Sequence, residues 1–272
     1  TNSIDVLNGS EFATYLNTLE TSQGGAPIYS QAQIDAFGEG TNWLDEVTRV
    51  GIIQNHQLTF SGGNENSQYA LTGNYHENDG IVKNTDFQRY GIRLNLDNNA
   101  LNDFLNISSS WAINRTESNN APTDRGGPGG IIITALGLDP TVPVRNGDGT
   151  YALASYDGRF NINPLQELEY ATDQDITTRI LGNTGFTFNI LDGLKAKTSV
   201  GADILNVNRT SFFPSVNTRV GRDNAGELTL ANRSSSNFLN ENILTYNKQI
   251  GEKHFIDAVA GYTFQKEVNK YT

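Results

Sequence analysis

The chain of 272 residues has no cysteine and no methionine. Without cysteine there is no disulfide framework, no Cys-ligated zinc and no thiol nucleophile. Long apolar runs are also missing: nothing approaches the roughly 18 apolar residues of a membrane helix, which excludes a helical membrane protein. Basic residues are few, 19 against 30 acidic for a net charge of −11, the opposite of the basic face that nucleic acid requires. Apolar residues reach only 36% and charged residues 18%, so Asn, Thr, Ser and Gly carry the balance. Aromatics, by contrast, are plentiful. Thirteen Phe, 11 Tyr and 2 Trp are too many for a disordered tract. A polar chain rich in Asn, Gly and aromatics points to β-structure whose two faces meet different solvents.

Thr1 is followed at once by polar sequence, with no succession of basic, apolar and small residues that would make a secretory leader. There is no Met even at position 1, and Val268–Thr272 stops in mid-pattern. These features predict a piece of a longer protein.

From Gln54 onward side chains alternate in character. In Gln68–His76, Tyr69, Leu71 and Tyr75 oppose Thr72, Asn74 and His76. In Asp86–Asp97, Tyr90, Ile92, Leu94 and Leu96 oppose Arg89, Arg93, Asn95 and Asp97. Phe104–Asn114, Ile176–Ile190 and Phe255–Glu267 follow the same rule; Lys195–Asn206 follows it more weakly, and Ser236–Gln249 is irregular. A period of two is the strand signature, because successive side chains leave opposite faces of a sheet. With His56–Ser61 the reading predicts eight strands.

The connections sharpen this. Ser61–Ser67, Asn98–Asp103, Leu191–Leu194 and Gly251–His254 are short and rich in Gly, Asn and Asp, as tight turns need. Between them lie the longer links Glu77–Thr85, Thr116–Asp175 and Arg209–Glu227. Short and long links alternate throughout, the habit of an outer-membrane barrel with short periplasmic turns and long extracellular loops. The alternative is a soluble or surface-exposed all-β binding module, in which alternation means core against water. In the barrel reading the apolar set faces lipid and the polar set faces a wet lumen. At about 27 residues per strand, a 22-stranded barrel needs roughly 600 residues, so the chain is expected to be part of a larger barrel.

The chain resembles the SusC/RagA branch of TonB-dependent outer-membrane transporters of Bacteroidetes-type bacteria. The resemblance is carried in order by Ile4–Leu16 (IDVLNGSEFATYL), Gly40–Glu46 (GTNWLDE), Gln54–Gly63 (QNHQLTFSGG), Tyr69–Asn74 (YALTGN) and Asp79–Val82 (DGIV). It continues through Asn84–Asp97 (NTDFQRYGIRLNLD), Ile133–Tyr151 (ITALGLDPTVPVRNGDGTY), Asn163-Pro164-Leu165 and Asp257–Tyr262 (DAVAGY). It implies an all-β fold: about eight transmembrane antiparallel strands of a 22-stranded barrel with long extracellular loops, one containing a short helix. On that mapping residues 1–50 are the first extracellular loop region and 51–272 a partial barrel with a long insertion at about 116–175. The plug domain and the C-terminal strands fall outside the chain. The resemblance further implies a non-enzymatic importer in the outer membrane that takes up oligosaccharides or peptides. Its implied partners are a SusD-like lipoprotein lid, TonB acting through the plug, and outer-membrane lipid.

No motif points to catalysis, and no cofactor is expected. His56, His76 and His254 are scattered without acidic residues at metal-ligand spacing. Gly126–Gly130 lacks the Lys-Ser/Thr of a phosphate loop and reads as a lead into a short buried helix at Ile131–Leu138. Asn146–Thr150 hints at a calcium loop but lacks the closing Glu, so a β-turn is expected. The residues proposed to face substrate or partner are Trp43, Tyr151, Tyr156, Arg159 and Phe160, aromatic and charged groups in loops, where binding functions concentrate. Packing against the barrel rim is the competing role for each.

Overall fold

The computed structural model describes residues 4–121, 130–156, 160–215 and 225–272; for 155–156 and 160–162 only the backbone path is described. Eight strands form one antiparallel meander: β1 (Ile53–Gly63), β2 (Ser67–Asp79), β3 (Asp86–Ala100), β4 (Leu105–Asn119), β7 (Thr172–Leu191), β8 (Leu194–Phe213), β9 (Glu227–Ile250) and β10 (His254–Tyr271). All eight expected strands are present, each longer than its alternating segment. The insertion between β4 and β7 carries α4 (Gly130–Leu136), a small hairpin of β5 (Ala154–Tyr156) with β6 (Phe160–Ile162), and α5 (Pro164–Tyr170). Before β1 lie α1 (Gly9–Ser22), α2 (Gln31–Phe37) and α3 (Trp43–Val47). Helices are therefore more numerous than the single one expected, and they gather at the long-loop end.

Register fixes what shares a face. Ile92 pairs with Ile113, Ile113 with Ile180 and Ile180 with Ile204, while Arg93 pairs with Ala112, Ala112 with Leu181 and Leu181 with Asp203. The same bookkeeping puts Tyr69, Tyr75, Tyr90, Trp111, Phe186, Phe188, Tyr262 and Phe264 on the face of Ile92. That face is uncovered: Ile92 is 58% exposed and Phe264 53%. Leaving a Leu or Ile side chain in water forfeits roughly 1.5–3 kcal/mol relative to burial, so a soluble sandwich would cover these residues. Nothing among the described residues does. Three polar residues on this face satisfy one another instead: the Thr198 hydroxyl donates to Asn242 Oδ1 at 2.8 Å, and Asn242 Nδ2 donates to Asn240 Oδ1 at 2.7 Å. In an apolar solvent an unmade hydrogen bond would be costly. About 9–11 tilted residues cross a hydrocarbon core, so β7, β8 and β9, with 20, 20 and 24 residues, project beyond it.

The helices build a separate lobe. Capping boxes start α1 (Asn8 with Glu11) and α2 (Ser30 with Gln33), satisfying amides that the first helical turn leaves open. Trp43, Val47, Ile131, Ala135, Leu138, Ala154 and Leu168 form its core. The two loops are stitched by Thr41 N–H to Pro140 C=O at 2.8 Å and by Trp43 Nε1–H to Asp139 C=O at 2.9 Å. Gly40 sits at φ +67°, and a Cβ there would lie 2.3 Å from the Pro140 oxygen, so only glycine permits the approach. The lobe is seated on the β2–β3 connection, where Lys83 N–H donates to Val47 C=O at 2.9 Å and Asn84 Nδ2 donates to Leu168 C=O at 2.9 Å.

Candidate substrate-facing surfaces

Two surfaces display polar and aromatic groups to solvent. The first is the polar face of the sheet. Small residues (Ser110, Ala112, Gly201) alternate with long ones there, leaving a cavity of about 530 Å³ lined also by Arg93, Asn183, Asp203 and Glu241. Arg179 grips Asp203 with two bonds of 2.8 and 2.7 Å, a bidentate geometry that orients both groups. Further along, Ser110 Oγ donates to Asn95 at 2.8 Å and Gln265 Nε2 to Asn237 at 3.0 Å. Such a wall offers donors, acceptors and both charges while remaining wet.

The second surface is the exposed side of the lobe. The strand-like bridge between Arg145 and Tyr151 closes the turn Asn146–Thr150. Inside it Asn146 N–H donates to Thr150 C=O at 2.8 Å, and Asp148 accepts from the Thr150 hydroxyl at 2.6 Å and amide at 2.9 Å. These bonds hold the Asp148 carboxyl below the usual carboxylate range, the hydroxyl contributing most. The segment is thus a turn, as its sequence suggested. The closure sets the Arg145 guanidinium 3.8 Å over the Tyr151 ring, a cation–π contact. Helix α5 delivers two more partners. Tyr151 Oη donates to Glu169, which also pairs with Arg145 at 3.5 Å, and Tyr170 meets Tyr151 edge-on at 6.1 Å. The Tyr151 phenol is pushed up to about 12, first by burial and then by the hydrogen bond and charge of Glu169, with Arg145 opposing. Tyr170 remains 43% exposed.

Of the residues expected to face substrate, Tyr151 heads this cluster. Tyr156 and Phe160 are paired across the β5–β6 hairpin, and Arg159 lies outside the described residues. Trp43 is 2% exposed and donates to a main-chain carbonyl, so it offers no ring face to a solute; its role is packing. Arg145, Glu169 and Tyr170 went unnoticed in the sequence. The turn between Arg145 and Tyr151 was a readable signal for the first, whereas the other two depend on where α5 docks. Asn163 caps α5 through bonds to the Leu165 and Gln166 amides at 3.1 and 3.3 Å, and its amide reaches Ala152 C=O at 2.7 Å. Gly126–Gly129 of the glycine-rich stretch lie outside the described residues. Among the described residues no group of His, Asp or Glu could hold a metal ion; His56 stacks near Tyr75 and His76 meets Phe87 edge-on.

An antiparallel meander with one apolar exposed face, one polar face and a loop lobe at one end is the architecture of a membrane β-barrel segment. No protein-family model matches the chain. It is 32% identical over 272 residues, 99% of its length, to TonB-dependent receptor P3 of Formosa agariphila, of which it covers 26%. It is 25% identical over 230 residues to TonB-dependent receptor SusC of Bacteroides thetaiotaomicron, covering 76% of this chain and 22% of that one. Among solved structures, the RagAB peptide transporter superposes with a TM-score of 0.70 at 15% identity, covering 98% of this chain and 34% of that one. The chain therefore belongs with the TonB-dependent receptors, as a SusC/RagA-like barrel segment. It spans about a quarter of the length of the curated relatives it matches.

Proposed function

We propose that the chain forms part of the barrel of an energised outer-membrane importer of large nutrients, oligosaccharides or peptides. Residues 1–50 and the 116–175 insertion then lie on the extracellular side, and residues 51–272 supply barrel wall. A SusD-like lipoprotein covers the lobe, and TonB acts through a plug region outside residues 1–272. The Tyr151 cluster, with Tyr156, Arg159 and Phe160 beside it in sequence, faces substrate or lid. No catalysis is assigned, in keeping with relatives named as receptors. The observation that carries this reading is the uncovered apolar face of the sheet, backed by a wall on which Arg93, Asn183, Asp203 and Glu241 surround a few aliphatic residues such as Leu181 and Leu239. Such a pair of faces suits a lipid exterior and a wet passage. The test is fractionation and uptake with the full-length protein. It should require detergent for extraction and shift on heating in gels, and nutrient uptake should vanish when either this protein or TonB is deleted. Recovery among soluble proteins without detergent would overturn the reading.

A further inference from the structure

At the long-loop end the polar wall carries a second cleft of about 530 Å³, within the roughly 300–1,000 Å³ of small-molecule sites. Its floor is one continuous cross-strand row: Asn78 pairs with Phe87, Phe87 with Ser118, Ser118 with Asp175 and Asp175 with Arg209. Asp173 and Asn120 close one side. Asn120 Nδ2 donates to Asp175 at 3.1 Å, and Arg209 Nη2 donates to Asp173 Oδ2 at 3.0 Å. The Asp173 side chain is 12% exposed, and its Oδ1 has no hydrogen-bond partner among the described residues. Acceptors therefore exceed donors, the cation is already held, and one half-buried aromatic ring lies in the same row.

We infer that this rim cleft binds a neutral carbohydrate, one or two sugar units of a longer chain, as it passes from the lobe into the lumen. This rests on the importer reading and names its substrate class. Sugar hydroxyls donate to Asp175 and Asn78, Arg209 donates to a ring or hydroxyl oxygen, and the C–H face of the pyranose lies on the electron-rich face of Phe87. The geometry disfavours the competing ligands. A phosphate or carboxylate meets three aspartates (Asp86, Asp173 and Asp175) against one arginine. An extended peptide has no strand edge to join, because β2, β3, β4, β7 and β8 are each paired on both sides. Apolar side chains would find only Phe87 and Ala121.

The experiment uses the full-length protein in detergent on a printed array of neutral glycans, with a tryptic casein digest as the peptide probe. Phe87→Leu keeps apolar volume but removes the ring face, and Asp175→Asn keeps shape but removes the acceptor charge. Heat-modifiability checks that both variants fold. Wild type should bind at least one neutral glycan, and each variant should bind it about tenfold more weakly, a change of roughly 1.4 kcal/mol. Binding of casein peptides but of no array glycan would overturn the substrate class. Equal glycan binding by wild type and both variants would overturn the site. Either failure leaves the importer reading to its own test, the TonB dependence of uptake.

Discussion

The eight-stranded sheet and the helical lobe spend their apolar residues in opposite ways. Of the eleven buried apolar residues among those described, only Phe213 comes from the sheet; the others belong to the lobe and its loops. The lobe is built as a water-soluble domain is, with capped helices around Trp43, Val47 and Leu168. The sheet turns most of its isoleucines and aromatics to one uncovered face, while Arg93, Arg179, Asp203 and Asn183 lie on the opposite wall. One chain thus folds against two solvents. A lean apolar content does not argue against membrane insertion when half of each strand faces water.

The comparison is broken hardest in the lobe. Trp43→Ala should cost about 3–5 kcal/mol, the range for emptying a buried aromatic site. Because the Trp43–Asp139 bond lies beside the Thr41 bonds to Pro140 and Val142 that join the same two loops, hydrogen exchange across α3 and α4 should accelerate while the strands keep their protection. Loss of the heat-modifiable band in this variant would show that lobe and sheet do not fold as separate units.

The sheet answers to a different substitution. Ile92→Arg places a charge on the apolar face and should cost about 2–4 kcal/mol if the site lies near the bilayer midplane, measured by folding into lipid vesicles across a urea series. Arg93→Ala, one residue along on the wall, should change folding little. Equal costs at the two positions would erase the distinction between the faces.

The smallest effect is a titration. The folded lobe holds the Tyr151 proton to about pH 12, whereas an unfolded tyrosine releases it near 10. The lobe's stability from this group is therefore fully present below about pH 10 and declines between about 10 and 12. In ultraviolet titration Tyr151→Phe should remove part of the late-ionising phase, and an unchanged curve would contradict the cluster's geometry.

Legibility followed the same divide. Strand alternation is local, so all eight strands could be read, but their ends could not. β9 begins at Glu227 rather than Ser236 because the polar run Arg233–Ser236 interrupts the alternation that Leu228 and Leu230 start. The capping boxes at Asn8–Glu11 and Ser30–Gln33 were readable signatures of α1 and α2. They lie within residues 1–50, expected as an extracellular loop region without helices. The burial of Trp43 was not legible at all: its partner Asp139 is 96 residues away. The rim row was equally hidden, since Asn78, Phe87, Asp175 and Arg209 converge only through the registers of five strands.

On the barrel reading Ile92 meets lipid and Arg93 meets water. Single cysteines at these positions, Ile92→Cys and Arg93→Cys, carry an environment-sensitive fluorophore on the full-length protein in vesicles containing brominated lipid. The fluorophore at position 92 should be quenched by the bromine and shielded from aqueous iodide, and at position 93 the pattern should reverse. Iodide quenching at 92 with bromine quenching at 93 would turn the barrel inside out and contradict the reading of both faces.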